Sequence, residues 1–269
     1  MGEILIPIAI VGGTGLLFGC LLAFASVIFK VNKDTRIEMI EGELPGANCG
    51  ACGYAGCSAY ATAVVEEGAP VSMCSVGKDT VAKKIATIMG TEAEKVEPKV
   101  ARVMCAGKCG IAENKYEYVG IADCTAAAKL AGGAKTCPNG CLGLGTCISV
   151  CKFDAIYIKD GIARIDETKC QACGQCLKVC PKGLITLVPV ENKVWVPCNN
   201  TEKGADTNKY CKTGCIGCRI CEKTCPVQAI TVVDNHAIID YSKCVSCGLC
   251  ADKCPKKLIH KTKSIGVGV

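Results

Sequence analysis

The chain has 269 residues, of which 26 are cysteine, whereas it has only one tryptophan, four phenylalanines and seven tyrosines. This composition excludes an ordinary enzyme core built from large apolar side chains. Disulfides or bound metals must therefore stabilise the interior, and the cellular compartment decides between them.

The N-terminal segment is apolar. Residues 4–29 contain no charge, and as a helix they would be roughly 39 Å long, enough to cross a bilayer. A secretory signal peptide is disfavoured because Glu3 precedes the run and Lys30, Lys33 and Arg36 follow it. We therefore predict a single-pass transmembrane helix in residues 1–30, with the basic flank and the rest of the chain on the cytoplasmic side of the cell membrane. Thiols stay reduced there, which favours metal over disulfides.

The C-terminal half is an internal repeat. Nine cysteines recur 74 residues later, and they are Cys124, Cys137, Cys141, Cys147, Cys151, Cys170, Cys173, Cys176 and Cys180, repeated as Cys198, Cys211, Cys215, Cys221, Cys225, Cys244, Cys247, Cys250 and Cys254. The half therefore contains two copies of one module. One cysteine of the second copy has no counterpart, because Cys218 corresponds to Leu144.

These features predict an α+β fold with one transmembrane helix, a small iron–sulfur domain and two tandem 2[4Fe–4S] ferredoxin-like modules. Periodicity predicts a supporting helix from Lys78 to Met89, a strand from Lys99 to Met104, and a helix from Asp123, its N-cap, to Leu130. The predicted segments are the membrane helix (1–30), a polar linker (31–45), a four-cysteine domain (46–104), the first module (105–194) and the second module with a basic tail (195–269).

The second module contains two tandem runs of the form Cys-x2-Cys-x2-Cys-x3-Cys-Pro. In bacterial ferredoxins, three cysteines of each run hold one cubane and the fourth crosses to the other. The rule gives one [4Fe–4S] site to Cys215, Cys218, Cys221 and Cys254, and another to Cys244, Cys247, Cys250 and Cys225. A pair of zinc sites is disfavoured, since zinc uses two Cys-x2-Cys pairs with a spacer.

The first module departs from this pattern. By the same rule one cluster is held by Cys170, Cys173, Cys176 and Cys151, although Lys152 replaces the usual proline. The other cluster lacks a ligand at Leu144. Its remaining candidates are Cys141, Cys147 and Cys180, with Cys137 as the nearest fourth ligand. A three-iron cluster, or completion by Cys124 or Cys105, is the alternative.

A separate set precedes the modules, with the spacing Cys49-x2-Cys52-x4-Cys57-x16-Cys74. We predict a [4Fe–4S] site here, with a zinc knuckle as the alternative. This gives five clusters. Four of the five unassigned cysteines suffice for a sixth cluster, and these five are Cys105, Cys109, Cys124, Cys198 and Cys211. Cys20, inside the apolar run, is expected to be a small apolar residue.

The charge does not indicate nucleic acid as a partner. The chain is formally +6, but each cluster with four thiolates carries about −2, so five clusters leave about −4. A basic tail remains at Lys256, Lys257, His260, Lys261 and Lys263. No nucleotide, phosphate or flavin motif is present. We therefore assign no catalytic residue and expect electron transfer.

The apolar run, the Cys49–Cys74 set and the tandem ferredoxin runs together resemble the B-subunit family of the Rnf complex, an ion-translocating ferredoxin:NAD oxidoreductase. The resemblance covers essentially the whole chain and fits the version with two tandem modules. It implies that the chain accepts electrons from reduced ferredoxin and passes them into a membrane complex that reduces NAD and translocates sodium ions or protons. It implies the A, C, D, E and G subunits of the Rnf complex as partners, and an NAD site elsewhere.

Three other classes compete with this interpretation. A ferredoxin-type subunit of a different membrane oxidoreductase would not need the Cys49–Cys74 domain. A reductive activator of corrinoid proteins uses ATP, and no phosphate-binding loop is visible. A zinc scaffold or metal store would have stoichiometric zinc and little iron.

Overall fold

A computed structural model describes residues 2–28 and 34–261. Helix α1 covers Gly2–Ile28. Across these two ranges, no helix combines the length and the apolarity needed to cross a membrane. The predicted membrane span therefore stays a prediction. The flanking Lys30 and Lys33, and Lys263 of the basic tail, lie outside the described residues.

A small helical domain follows, and part of it lies in the segment predicted as a linker. Ile37 and Ile40 of its first helix are buried against Tyr60 and Ile85. The predicted supporting helix from Lys78 to Met89 is confirmed, because it packs behind the first cysteine set. The elements are α2 (Thr35–Glu43), α3 (Cys57–Thr62), a π-helical turn (Ala63–Glu67) and α4 (Lys78–Met89).

The first module combines two antiparallel strand pairs with three short helices. The helix predicted after Asp123 is confirmed, since the Asp123 carboxylate caps it by accepting from the Ala126 N–H at 2.7 Å. Strand β1 pairs with β4, and β2 with β3. The elements are β1 (Lys99–Val103), α5 (Cys124–Lys129), α6 (Thr146–Ser149), β2 (Ile156–Lys159), β3 (Ile162–Ile165), α7 (Gln175–Val179) and β4 (Ile185–Pro189).

The second module repeats this plan. Strand β5 pairs antiparallel with β8, and β6 with β7. The elements are β5 (Val194–Trp195), α8 (Gly204–Tyr210), α9 (Ile220–Thr224), β6 (Ile230–Val233), β7 (His236–Ile239), α10 (Leu249–Asp252) and β8 (His260–Lys261).

The 74-residue repeat extends to individual hydrogen bonds. The Asp166 N–H donates to the Ala155 carbonyl at 2.7 Å, and the Asp240 N–H donates to the Ala229 carbonyl at the same distance. Each module has its own small core, in which aliphatic side chains pack against cysteines rather than against phenylalanine. The mixed helix–strand architecture with tandem modules is as predicted.

Candidate iron–sulfur centres

The structure gathers 24 of the 26 cysteines into six groups of four. We number them in spatial order. Site 1 comprises Cys49, Cys52, Cys57 and Cys74, site 2 comprises Cys151, Cys170, Cys173 and Cys176, and site 3 comprises Cys124, Cys141, Cys147 and Cys180. Site 4 comprises Cys105, Cys137, Cys198 and Cys211, site 5 comprises Cys215, Cys218, Cys221 and Cys254, and site 6 comprises Cys225, Cys244, Cys247 and Cys250.

Sites 3 to 6 each surround a cavity of similar size. In each case all four cysteines of the site line the same cavity. The cavity volume is about 30 Å³ at site 3 and about 20 Å³ at each of sites 4, 5 and 6. Sites 5 and 6 follow the ferredoxin rule, so the matching cavities at sites 3 and 4 indicate the same kind of occupant.

Sites 1 and 2 are defined by interactions between thiols. Burial, followed by the charges of Cys170 and Cys173, raises the pKa of Cys176 to about 12, and Cys151 also acts on it. At site 1, burial raises the pKa of Cys74, and the thiols of Cys57 and Cys49 raise it further. Both sets are the ones predicted from spacing.

The donor chemistry fits iron–sulfur clusters. Burial raises the pKa of Cys147, Cys198 and Cys221 to about 12, so four adjacent thiolates require a cationic core for compensation. Backbone N–H groups also donate to the sulfurs, as is typical of cluster ligands. Such donors include Gly77 to Cys74 at 3.3 Å, Ala229 to Cys225 at 3.3 Å and Leu184 to Cys180 at 3.4 Å. In the described part of the chain, no three His, Cys, Asp or Glu side chains are arranged to hold a single metal ion.

The structure places Cys124, and not Cys137, beside the incomplete set of the first module. Cys147 interacts with Cys141, Cys124 and Cys180, and these four line one cavity. Cys137 lies in the site 4 cavity. The Cys124 alternative left open by the sequence therefore matches the geometry.

Site 4 lies at the boundary between the modules. Cys105 follows β1 and forms an isolated antiparallel bridge with Cys198, while Cys137 interacts with Cys105 and Cys211. The buried Lys135 ammonium donates to the Gly107 carbonyl. Each module thus provides two thiols. Cys105 has no counterpart in the repeat, so the sequence left this set unresolved.

The equivalent residues Cys124 and Cys198 belong to different sites, because the first module has Leu144 where the second module has a cysteine. Where the first module has Leu144, the second has Cys218, which lines site 5. Cys124 completes site 3, whereas Cys198 takes part in site 4. Leu144 lines an open groove together with Cys109. Cys109 is exposed and belongs to none of the six sites.

Neighbouring sites interact with one another in an unbroken series. Sites 3 and 4 meet where the Cys141 N–H donates to the Cys105 sulfur at 3.5 Å. Sites 4 and 5 meet where the Cys215 N–H donates to the Cys198 sulfur at 3.4 Å. The other junctions are thiol interactions, namely Cys49 with Cys173, Cys147 with Cys176, and Cys221 with Cys250.

Two short-strand modules with four-thiol cavities of similar size define an iron–sulfur protein of the electron-carrier class. Family models agree with three of its segments. An Fe–S cluster family matches residues 44–76, a 4Fe-4S dicluster domain matches residues 214–258, and a 4Fe-4S binding domain matches residues 162–185. The chain carries several [4Fe–4S] clusters.

Three relatives identify the family, and each is the B subunit of an ion-translocating complex. The chain is 48% identical to that of the Na(+)-translocating ferredoxin:NAD(+) oxidoreductase complex of Acetobacterium woodii, over 90% of this chain and 73% of the relative. It is 42% identical to the proton-translocating counterpart of Clostridium ljungdahlii, over 90% of this chain and 86% of the relative. It is also 42% identical to the B subunit of the ion-translocating oxidoreductase complex of Methanosarcina acetivorans, over 90% of this chain and 93% of the relative. The chain belongs to this family, the B subunits of the Rnf complex, and the predicted resemblance is confirmed.

Proposed function

We propose that the six sites form a linear electron relay, in which electrons enter at site 6 and leave from site 1 toward other subunits of the complex. The observation that carries this proposal is the unbroken series of neighbouring sites from site 1 to site 6, joined by hydrogen bonds to sulfur at two junctions and by electrostatic interaction between thiols at the other three. A bound [4Fe–4S] cluster takes up and releases one electron at a time. The chain itself fixes the order in which the clusters lie.

The proposed direction of electron flow rests on the exposure of the cysteines at each end of the series and on the position of the small domain in the chain. Cys247 of site 6 is exposed, as is Cys218 of the adjacent site 5, whereas Cys147 of site 3 and Cys176 of site 2 are buried. Site 6 therefore offers a soluble donor close approach. Site 1 belongs to the domain that follows α1, so it lies nearest the membrane part of a complex. Reduced ferredoxin, named in two relatives, is the donor we propose.

We further propose that residues 4–29 anchor the chain in the membrane, with the modules on the cytoplasmic side. The uncharged run supports this proposal, and so do the exposed apolar side chains Val11, Leu16, Phe18 and Leu22. Carbonate extraction of membranes tests the anchor, since an anchored chain stays in the pellet. Labelling of an added cysteine beside Arg36 in intact cells and in opened vesicles tests its side.

The relay is tested with anaerobically purified full-length protein. We expect about 24 irons per chain if all six sites are filled. Stopped-flow mixing with reduced ferredoxin is expected to oxidise the ferredoxin rapidly without NAD. Stoichiometric zinc with little iron would overturn the proposal, and so would direct reduction of NAD by the isolated chain.

A further inference from the structure

Two side chains of the first module reach across to the small domain. The Lys152 ammonium donates to the Ala47 carbonyl at 3.1 Å and to the Asn48 carbonyl at 3.3 Å. The Gln175 side-chain amide donates to the Cys49 carbonyl. The three acceptors are consecutive and end at the first cysteine of site 1. We call Lys152 and Gln175 the clasp.

The clasp connects two cluster loops directly. Lys152 follows Cys151, and Gln175, the first residue of α7, lies between Cys173 and Cys176, so both clasp residues lie in the segments that carry the thiols of site 2. The thiol of Cys173 interacts with that of Cys49 across the same junction. The hydrogen bonds of the clasp join these segments to the site 1 loop directly, so the clasp acts on the separation of the two sites themselves.

The loop that carries the Ala47 and Asn48 carbonyls is held in a fixed conformation by a hydrogen bond of its own. Asn48 has a φ of 44°, a left-handed conformation that is costly for a residue with a Cβ. Its side-chain oxygen accepts from the Cys57 N–H at 2.8 Å, which compensates for that cost. The carbonyls of Ala47 and Asn48 are thereby directed toward Lys152. A charged donor on two carbonyls makes a stronger contact than a neutral one.

The repeat shows that the ferredoxin fold itself does not need these residues. Seventy-four residues further on, the equivalents of Lys152 and Gln175 are Pro226 and Leu249. Leu249 is 44% exposed. The first module therefore has two donors in place of the proline and the leucine, at the face that meets the small domain.

We propose that Lys152 and Gln175 are positioning residues that hold site 1 against site 2 and thereby set the rate of electron passage between the small domain and the modules. The inference rests on the proposed relay. In each passage one electron leaves site 2 and enters site 1, no bond is made or broken, and no proton moves. The rate of such a transfer falls steeply with distance, so losing the clasp slows this step alone.

The test compares the double variant Lys152→Met/Gln175→Leu with the unaltered full-length protein. We expect unchanged iron content, a weakened magnetic coupling between sites 1 and 2 in pulsed EPR of the reduced protein, and reduction of site 1 slowed by about tenfold or more. Lys152→Arg is expected to keep the coupling, because it retains a charged donor. Lys178→Met is the matched control, since Lys178 is an exposed lysine of the same helix α7.

Two outcomes separate this inference from the relay itself. If the double variant keeps full coupling and a fast reduction of site 1, the clasp assignment is overturned. If ferredoxin fails to reduce any site in the unaltered protein, the relay fails instead. With the relay intact, the double variant still oxidises ferredoxin rapidly, because electrons enter at site 6 and the clasp plays no part there.

Discussion

The guanidinium carbon of Arg102 lies 3.9 Å from the centre of the Trp195 ring, across the boundary between the two modules. The two residues occupy equivalent places. Arg102 pairs with Thr186 in the first module, and Trp195 pairs with His260 in the second. Thr186 and His260 are 74 residues apart. The modules thus meet through matching ladder positions, where a cation faces an aromatic ring.

Arg102 is expected to contribute to stability through this contact. Its side chain is 4% exposed and forms an ion pair with Glu167 at 3.1 Å, while burial lowers its pKa. Because Glu167 is partly solvated, we expect Arg102→Met to cost about 1 to 2 kcal/mol. The midpoint of thermal unfolding is then expected to drop by about 2 to 8 °C. It is measured from the loss of cluster absorbance on heating. Lys209→Met, which removes an exposed lysine from an i,i+3 pair, serves as the control. An unshifted midpoint for Arg102→Met contradicts the assignment.

His260 is expected to make the stability of the folded protein depend on pH. Burial, and then the charges of Arg164 and Arg102, lower the pKa of His260 from 6.5. Below that pH the unfolded chain binds a proton that the folded chain resists, so stability falls as the pH drops below about 6.5 and is unaffected above it. Thermal midpoints at about pH 7.5 and pH 5.5 measure this. His260→Gln is expected to reduce the difference between the two, and an equal difference in both proteins contradicts the prediction.

Serine substitutions distinguish sites 3 and 4. We expect Cys124→Ser and Cys137→Ser each to lower the iron content by about 4 per chain, but with different EPR signals missing. Cys137→Ser also interrupts the series between the modules, so ferredoxin reduces sites 5 and 6 and leaves site 1 oxidised. Cys109→Ser provides the control and keeps all the iron. Loss of the same signal in both variants shows that Cys124 and Cys137 share one site.

Asn48 is expected to control how firmly site 1 holds its cluster. Asn48→Ala removes the hydrogen bond to Cys57 and keeps the strained Cβ at positive φ, at a cost of about 1 kcal/mol. Asn48→Gly loses the same hydrogen bond but also removes the strained Cβ, so its net cost is smaller. The rate of iron release to a chelator, read from the site 1 EPR signal, should therefore rank alanine fastest, then glycine, then asparagine. The reverse order of alanine and glycine excludes backbone strain as the cause.

The repeat allowed most of the module architecture to be predicted from sequence. Sites 2, 5 and 6 have the cysteine sets predicted from ferredoxin spacing, which places three thiols on one loop, and site 1 has the separate set Cys49–Cys74. The helices beginning near Lys78 and Asp123 were found for a similar reason, since periodicity and an N-cap are local signals. Helix α2 was missed because it is short and charged, although Ile37, Ile40 and Leu44 recur at helical spacing.

Sites 3 and 4 needed the three-dimensional structure. Cys137 precedes Cys141 by only four residues, which favoured assigning both to one site. The chain turns between them, so Cys137 faces Cys105 and Cys211, which are distant in sequence. Thiols brought together by tertiary contacts leave no spacing pattern. The substitution of Leu144 for cysteine was the only local sign that Cys124 had a different role.

The shared boundary site also limits how this protein can be divided. A cut between residues 194 and 195 leaves Cys105 and Cys137 in one fragment and Cys198 and Cys211 in the other, each with half of a four-thiol cavity. Neither module is therefore a self-sufficient unit that can be exchanged, deleted or expressed alone with all its thiols in use. The two similar halves depend on each other for this site, so they must be kept together when the protein is engineered.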